Sequence, residues 1–201
     1  MANVKLAIIY YSSTGTIHGM AERLQQAGEK AGAEVRLRQV AELAPEEAIA
    51  SNTAWSQHFD RTKNDPKATA DDIVWANAVL LGTPTRYGNV ASQLKQFLDT
   101  LGAQWGQGLL ANKAYAGFTA SQTAHGGQES TLLALYNSIY HFGGVIVPPG
   151  YTDPLKFADG NPYGVSHVTG ATNDDPLSDA TTAALDHLAQ RIVEIGAKLA
   201  A

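Results

Sequence analysis

The sequence predicts an α/β fold, a doubly wound five-stranded parallel sheet with helices on both faces. Three observations predict it. Short apolar runs alternate with longer stretches of helical periodicity, which is the signature of repeated strand–helix units. Most of the strand-like runs are apolar without alternation, as strands covered on both faces are. The first of them passes at once into the turn Ser12-Ser13-Thr14-Gly15-Thr16-Ile17 and a helix, and ligands of such sheets bind at the carboxyl ends of strands.

Each element follows in order. Val4 to Tyr11 reads as the first strand. Ile17, Met20, Ala21, Leu24 and Ala31 recur on one helical face, and Gly32 stops that helix. Val35 to Val40 alternates apolar residues with Arg and Gln, a strand with one polar face suited to a sheet edge. Ala78 to Leu81 is the third strand, closed by Gly82, and Val90, Leu94, Phe97, Leu98 and Leu101 mark the next helix. Ala114 to Thr119, Gln128 to His141 and Val145-Ile146-Val147 form a strand, a helix and the last strand. Leu185, Leu188, Ile192, Ile195 and Leu199 make an amphipathic closing helix that begins near Pro176 and Ser178. Ala44 to Pro66 and Pro148 to Leu177 read as long irregular stretches. Such stretches are usually functional or mobile. Their aromatics, Trp55, Phe59, Tyr151, Phe157 and Tyr163, suit a substrate mouth or a subunit interface.

Composition narrows the function. The 201 residues suit one domain over 1–201. Fourteen Lys and Arg face nineteen Asp and Glu, a net charge of −5, and the basic residues are scattered, which argues against nucleic acid. The chain has no Cys, so disulfides, thiol nucleophiles and Cys-bound metals are excluded. No leader pattern and no membrane-length apolar run is visible, so a cytoplasmic location is expected. No His/Asp/Glu spacing points to a metal, and no Gly-x-Ser-x-Gly elbow supports hydrolase chemistry.

The turn at 12–17 has four hydroxyls, one glycine and a helix N-terminus behind it, the parts of an anion site. No Lys or Arg lies between Lys5 and Arg23, so hydroxyls and amides are expected to carry the charge. The Lys of a P-loop and the three glycines of a dinucleotide loop are both missing. A mononucleotide phosphate site remains, beside the alternative that Ser and Thr simply cap the helix. Two further loops meet the same edge. Gly82-Thr83-Pro84-Thr85-Arg86-Tyr87-Gly88-Asn89 reads as a tight turn at Gly82 and Pro84 with Asn89 as helix cap. Ser121-Gln122-Thr123-Ala124-His125-Gly126-Gly127-Gln128-Glu129 offers exposed amides and a first helical turn. Tyr87 and Trp105 are either walls for a planar ring or plain core residues, and His18 stands in the first turn of its helix, solvated or behind the site.

These residues carry a resemblance. Tyr-Tyr-Ser-Ser-Thr-Gly-Thr-Ile at 10–17 resembles the phosphate loop of flavodoxin-like proteins. Gly-Thr-Pro-Thr-Arg-Tyr-Gly-Asn at 82–89 resembles the flavin-ring loop of the WrbA family of NAD(P)H:quinone oxidoreductases. His-Gly-Gly-Gln-Glu at 125–129, His-Phe-Gly-Gly-Val-Ile-Val-Pro at 141–148 and Asn-Pro-Tyr-Gly at 161–164 extend the likeness nearly end to end. The resemblance implies FMN, with Ser12, Ser13, Thr14, Gly15, Thr16 and Ile17 on its phosphate. It implies Thr85, Arg86 and Tyr87 along the ring, and Ser121, Gln122, Thr123, Ala124, His125 and Gly126 over the ribityl and pyrimidine edges. It implies His141 at the flavin site, where it is the expected proton relay and catalytic residue. Trp105 is implied at the quinone and nicotinamide pocket, and Thr14 at the nicotinamide cofactor, where relatives often carry Tyr. Homodimers assembling into homotetramers, with sites shared between subunits, are implied as well. The expected activity is two-electron reduction of quinones by NADH or NADPH through one shared pocket, and hence ping-pong kinetics. A single-electron carrier and an FMN-binding scaffold or regulatory protein are the alternatives.

Overall fold

The computed structural model describes residues 4–200, so the outermost residues of the expected 1–201 domain lie outside it. The sheet is built from β1 (Lys5–Tyr10), β2 (Glu34–Gln39), β3 (Ala78–Arg86), β5 (Ala114–Ser121) and β6 (Val145–Ile146), in the order β2-β1-β3-β5-β6 with parallel pairing. Two short strands complete it. β4 (Asn89–Val90) folds back antiparallel on β3, and β7 (Val165–Val168) pairs with β5.

Side chains of β1 divide between two cores. Leu6, Ile8 and Tyr10 pack against α1 (Thr16–Lys30) and α9 (Asp179–Leu199), with Leu24, Leu185, Leu188 and Ile192. Ala7, Ile9 and Tyr11 face α5 (Ser92–Asp99) and α7 (Gln128–Phe142), with Leu94, Leu98, Leu132 and Leu135. A strand buried on both faces must be apolar at every position, which is why its run does not alternate. Each fully buried Leu or Ile contributes about 1.5–3 kcal/mol. β2 lies at the edge, as its polar face requires. Arg36 and Arg38 on that face pair with Asp72 at 3.2 and 3.1 Å, and the Arg36 guanidinium sits 4.1 Å from the Trp75 ring centroid. Both partners belong to α4 (Ala70–Trp75).

Predicted ends of the first and last helices are present. Gly32 follows α1 at φ 89°, and Ser178 caps α9 through the Thr181 N–H at 3.1 Å. Several expectations are corrected. The stretch 44–66 holds two helices, α2 (Glu46–Ala50) and α3 (Thr53–Thr62). The residues α3 buries fully are His58 and Thr62, with Trp55 and Phe59 half-buried beside them, so its inward face carries no aliphatic stripe to read. The stretch 148–177 holds α8 (Lys156–Asp159) and β7. The fifth strand position is therefore split. β6 pairs with Ala114–Tyr115, and β7 rejoins β5 at Phe118–Ser121 after an excursion. A buried ion pair between Lys156 and Asp159 and a Lys156 Nζ–Gly164 carbonyl bond of 3.1 Å hold that excursion.

Gly82 and Pro84 make no turn, because both lie inside β3. Gly82 is needed for close packing: a Cβ there would stand 2.2 Å from the Phe118 ring. Pro84 is tolerated because the ladder with β1 has ended at Gly82, leaving that side without a partner to serve. Asn89 is in β4, not at a helix cap. α5 starts at Ser92 behind Ala91, whose N–H is held by Thr83 Oγ1 at 2.9 Å. Val90 is accordingly a strand residue, and Leu101 precedes the short helix α6 (Gly102–Gly106).

Candidate functional site

The winding direction of the sheet reverses between β1 and β3, which places a ligand crevice at the carboxyl ends of these strands. A cleft of about 370 Å³ opens there. It is lined by Ser12, Ser13, Thr14, Thr16 and Ile17, by Pro84, Thr85, Arg86 and Tyr87, by Ala120, Ser121 and Gln122, and by Thr169 and Asn173.

The helix-cap alternative fails at its key point. The residue preceding α1 is Gly15, at φ 110°, and no side chain caps the helix. Ser12 is buried and its Oγ accepts the Gly15 N–H at 3.1 Å, so it shapes the turn instead. The first helical N–H groups have no intrahelical acceptor. Thr16 and Ile17, the first two helical residues, line the cleft, with the positive end of the helix dipole behind them.

The expectation of a site without positive charge is corrected. Arg86 Nη2 donates to Ser13 Oγ at 3.3 Å, and Arg86 Nη1 to the Thr85 carbonyl at 3.0 Å. A scan between Lys5 and Arg23 cannot see a guanidinium delivered from the end of β3. Tyr87, at φ 52°, turns the chain into β4 with its side chain fully exposed. A non-glycine residue in this region is uncommon and marks strain worth about 1–2 kcal/mol.

The three loops are stitched together. Thr85 Oγ1 accepts the Gly88 N–H at 3.2 Å, donates to the Gly126 carbonyl at 3.4 Å and lies 2.8 Å from the Thr131 hydroxyl. Ser121 Oγ donates to the Thr123 carbonyl at 2.7 Å, closing the loop that carries Ala124 and the exposed His125. A Cβ at Gly127 would sit 2.9 Å from the Gly88 Cα, so that glycine permits the two loops to touch. Sequence reading missed Thr169 and Asn173. The Thr169 N–H donates to the Ser121 carbonyl at 2.9 Å, and its hydroxyl to Asn173 Oδ1 at 2.5 Å. Only β7, a four-residue strand, brings them to the cleft.

Behind Gly15 stands a polar cluster from α1 and α3. Tyr10 Oη and His18 Nδ1 are 2.7 Å apart, and the His18 and His58 rings meet edge to face with centroids 5.3 Å apart. Burial, and then Asp65 and Glu22, push the Tyr10 phenol well up. Burial first, then the charges of His18, Arg61 and Lys67, holds His58 down at about 4. Tyr11, just ahead of the turn, is raised by burial and by Glu42, whose Oε2 accepts from Tyr11 at 2.8 Å and from Trp55 Nε1 at 3.0 Å.

Trp105 and His141 are brought together, but away from this cleft. The Trp105 indole N–H donates to the His141 carbonyl at 2.7 Å, and both side chains are exposed. α7 begins beside the cleft, just after Gly127, and ends just before Gly143, near the amino end of β5, where Val145 pairs with Ala114. Fifteen helical residues separate the two ends by roughly 22 Å.

Known proteins bear on this arrangement. Residues 4–153 match the family model described as NADPH-dependent FMN reductase. A protein of Deinococcus radiodurans named NAD(P)H dehydrogenase (quinone) is 47% identical over 199 residues, covering 98% of each chain. One of the same name from Sinorhizobium fredii is 37% identical over 203 residues, again covering 98% of each. Among solved structures, a flavodoxin described as WrbA-like from Agrobacterium tumefaciens superposes with a TM-score of 0.67 at 19% identity, covering 98% of this chain and 99% of that one. Megasphaera elsdenii flavodoxin gives 0.57 at 16% identity, covering 94% and 98%. The structural matches establish the flavodoxin-like fold, and the sequence matches establish descent: the chain belongs to the NADPH-dependent FMN reductase family.

Proposed function

We propose that this chain is an FMN-dependent NAD(P)H:quinone oxidoreductase, formed by one flavin-binding domain over 1–201. The observation that carries the reading is the uncapped start of α1. It opens onto a cleft at the β1/β3 switch point, with Arg86 leaning on Ser13. Free amides, hydroxyls and a guanidinium suit a phosphate monoester, and the cleft volume is in the range of small cofactor sites. The names carried by the Deinococcus and Sinorhizobium relatives support the activity.

In this reading Ser13, Thr14, Thr16 and Ile17 hold the phosphate, while Ser12 and Gly15 set the turn. Thr85, Arg86 and Tyr87 flank the ring. Ser121, Gln122, Thr123, Ala124, His125 and Gly126 cover the ribityl and pyrimidine edges. When bound, FMN supplies the hydride chemistry. The chain holds it and leaves one side open for NADH or NADPH, and then for a quinone. Thr14, at the mouth, lies where the nicotinamide cofactor approaches.

Trp105 and His141 contribute from a second copy of the chain, in a homodimer or homotetramer. Two features support this: they are paired and exposed at the edge opposite the cleft of their own chain, and Leu133 and Tyr140 are large exposed hydrophobics on the same α7. His141 then serves as the proton relay and Trp105 as a wall for quinone and nicotinamide. Among the described residues no helix is long and apolar enough to cross a membrane, and the reading assigns the reaction to the cytoplasm, where NAD(P)H is supplied.

The test is the visible spectrum of the purified protein, followed by anaerobic titration with NADH and NADPH and steady-state rates with benzoquinone. The expected result is a yellow protein bleached by one equivalent of NAD(P)H, with parallel double-reciprocal lines. A colourless protein that takes up no added FMN overturns the reading, and converging lines overturn the single pocket.

A further inference from the structure

A second cation reaches the turn at 12–17, from α3. A Cβ built on Gly15 would stand 3.5 Å from both Arg61 Nη2 and His58 Nδ1, so both groups pack against the bare backbone of that glycine. Arg61 Nη2 and His58 Nδ1 are 3.1 Å apart. A guanidinium has only donors. Nδ1 is therefore the acceptor, and the imidazole proton is on Nε2. That Nε2 is buried without a partner, in a side chain 2% exposed.

Leaving a buried donor unpaired is costly, and an apolar residue would fill the same place without that cost. What His58 adds over an apolar residue is its hold on Arg61. Arg61 stands in the last turn of α3, where the helix dipole favours any cation. The dipole alone, however, would not aim the guanidinium inward at Gly15. Among the described residues Arg61 forms no ion pair, and its hydrogen-bond partner is His58.

Arg61 also lines two other clefts, one of about 690 Å³ with Glu22 and Asp65 and one of about 530 Å³ that shares Thr14, Thr16 and Asn173 with the first. Asp174 and Asp175 line the latter. Two carboxylates in each make both poor homes for a free anion, which leaves the turn as the place where the charge of Arg61 can meet one.

We propose that Arg61, aimed by His58 across Gly15, is the counter-charge of the phosphate cradle and makes the site select a phosphorylated flavin over an unphosphorylated one. Arg61 is a positioning residue. It works through the field at the turn, beside the direct contact that Arg86 supplies from the inner side. The inference rests on the phosphate reading given above, and it adds a residue from a segment that sequence reading took for an irregular loop.

The experiment titrates the flavin-stripped full chain with FMN and with riboflavin, following flavin fluorescence, in the unaltered protein, Arg61→Gln and Arg61→Lys. Arg61 is exposed, so neither change disturbs a core. Arg61→Gln is expected to weaken FMN about tenfold and to leave riboflavin within about twofold. Arg61→Lys should keep most of the FMN affinity. The deficit of Arg61→Gln should shrink as salt rises from about 20 to about 300 mM. An unchanged FMN-to-riboflavin ratio in Arg61→Gln overturns the proposal, and so does an equal loss for both flavins, which is the mark of a purely structural role. If the unaltered chain itself fails to prefer FMN, the phosphate cradle falls and this inference falls with it. If it prefers FMN and Arg61→Gln prefers it as strongly, only the role of Arg61 falls.

Discussion

The carboxyl edge of the sheet and the opposite edge are built in different ways. At the carboxyl edge one chain assembles a whole cleft from backbone amides, short hydroxyls and glycines: the bare start of α1, the Thr85 hub, and the Gly88–Gly127 contact. At the other edge Trp105 and His141 form a hydrogen-bonded pair whose side chains are both exposed. In the proposed reading the first edge holds the flavin by itself, and the second is completed by the cleft of a neighbouring copy. An anion site has to be rigid, so it is made of backbone. A site that admits two substrates in turn has to be open, and exposed side chains from another chain can cover it without sealing it.

The largest effect is expected from Gly82→Ala, which forces a Cβ into the Phe118 ring. Urea unfolding should show a loss of about 3 kcal/mol, and both edges should fail together. Acid comes next. Because His58 is held at about 4 when folded and lies near 6.5 when unfolded, the unfolded chain binds the extra proton between those values. Stability is thus full above about pH 6.5 and lost as pH falls toward 4, by roughly 2–3 kcal/mol. Replacing His58 by Gln should flatten that slope in urea midpoints measured across the range.

Ser13→Glu sharpens the contrast between the edges. A carboxylate inside the cradle should weaken FMN by about thirtyfold, or roughly 2 kcal/mol, while the unfolding midpoint barely moves because Ser13 is only half-buried. The smallest effect belongs to the opposite edge. The double change Trp105→Ala/His141→Ala should cut quinone reduction about tenfold and leave FMN affinity nearly intact. Mixing it with Ser13→Glu under subunit exchange should recover activity, since some cradles then meet an intact partner edge. No recovery would mean that Trp105 and His141 serve only their own chain.

Much of the fold was legible because its signals are local. The run Val4–Tyr11, the face Ile17–Met20–Ala21–Leu24 and the closing helix each announce their burial by spacing. The site was legible in part. Its three loops were found because glycine and hydroxyl clusters after apolar strands are visible in one dimension. β7 was missed because four residues are too few to show alternation. α3 was missed because its buried face is a histidine and a threonine. Gly82 and Pro84 misled because a glycine and a proline signal a turn unless the third dimension supplies a Phe118 ring and a ladder that has already ended.

The sequence by itself determined the α/β order of elements, the two-faced burial of the first strand and the hydroxyl turn that precedes a helix, since each depends on neighbours a few residues apart. Tertiary structure alone decided what charge that turn sees and which residues share its cleft. Arg86 reaches Ser13 across 73 positions, and Arg61 arrives from a helix whose fully buried residues are a histidine and a threonine. Electrostatic fields act through space, and the chain distance between two charges says nothing about the ångströms between them.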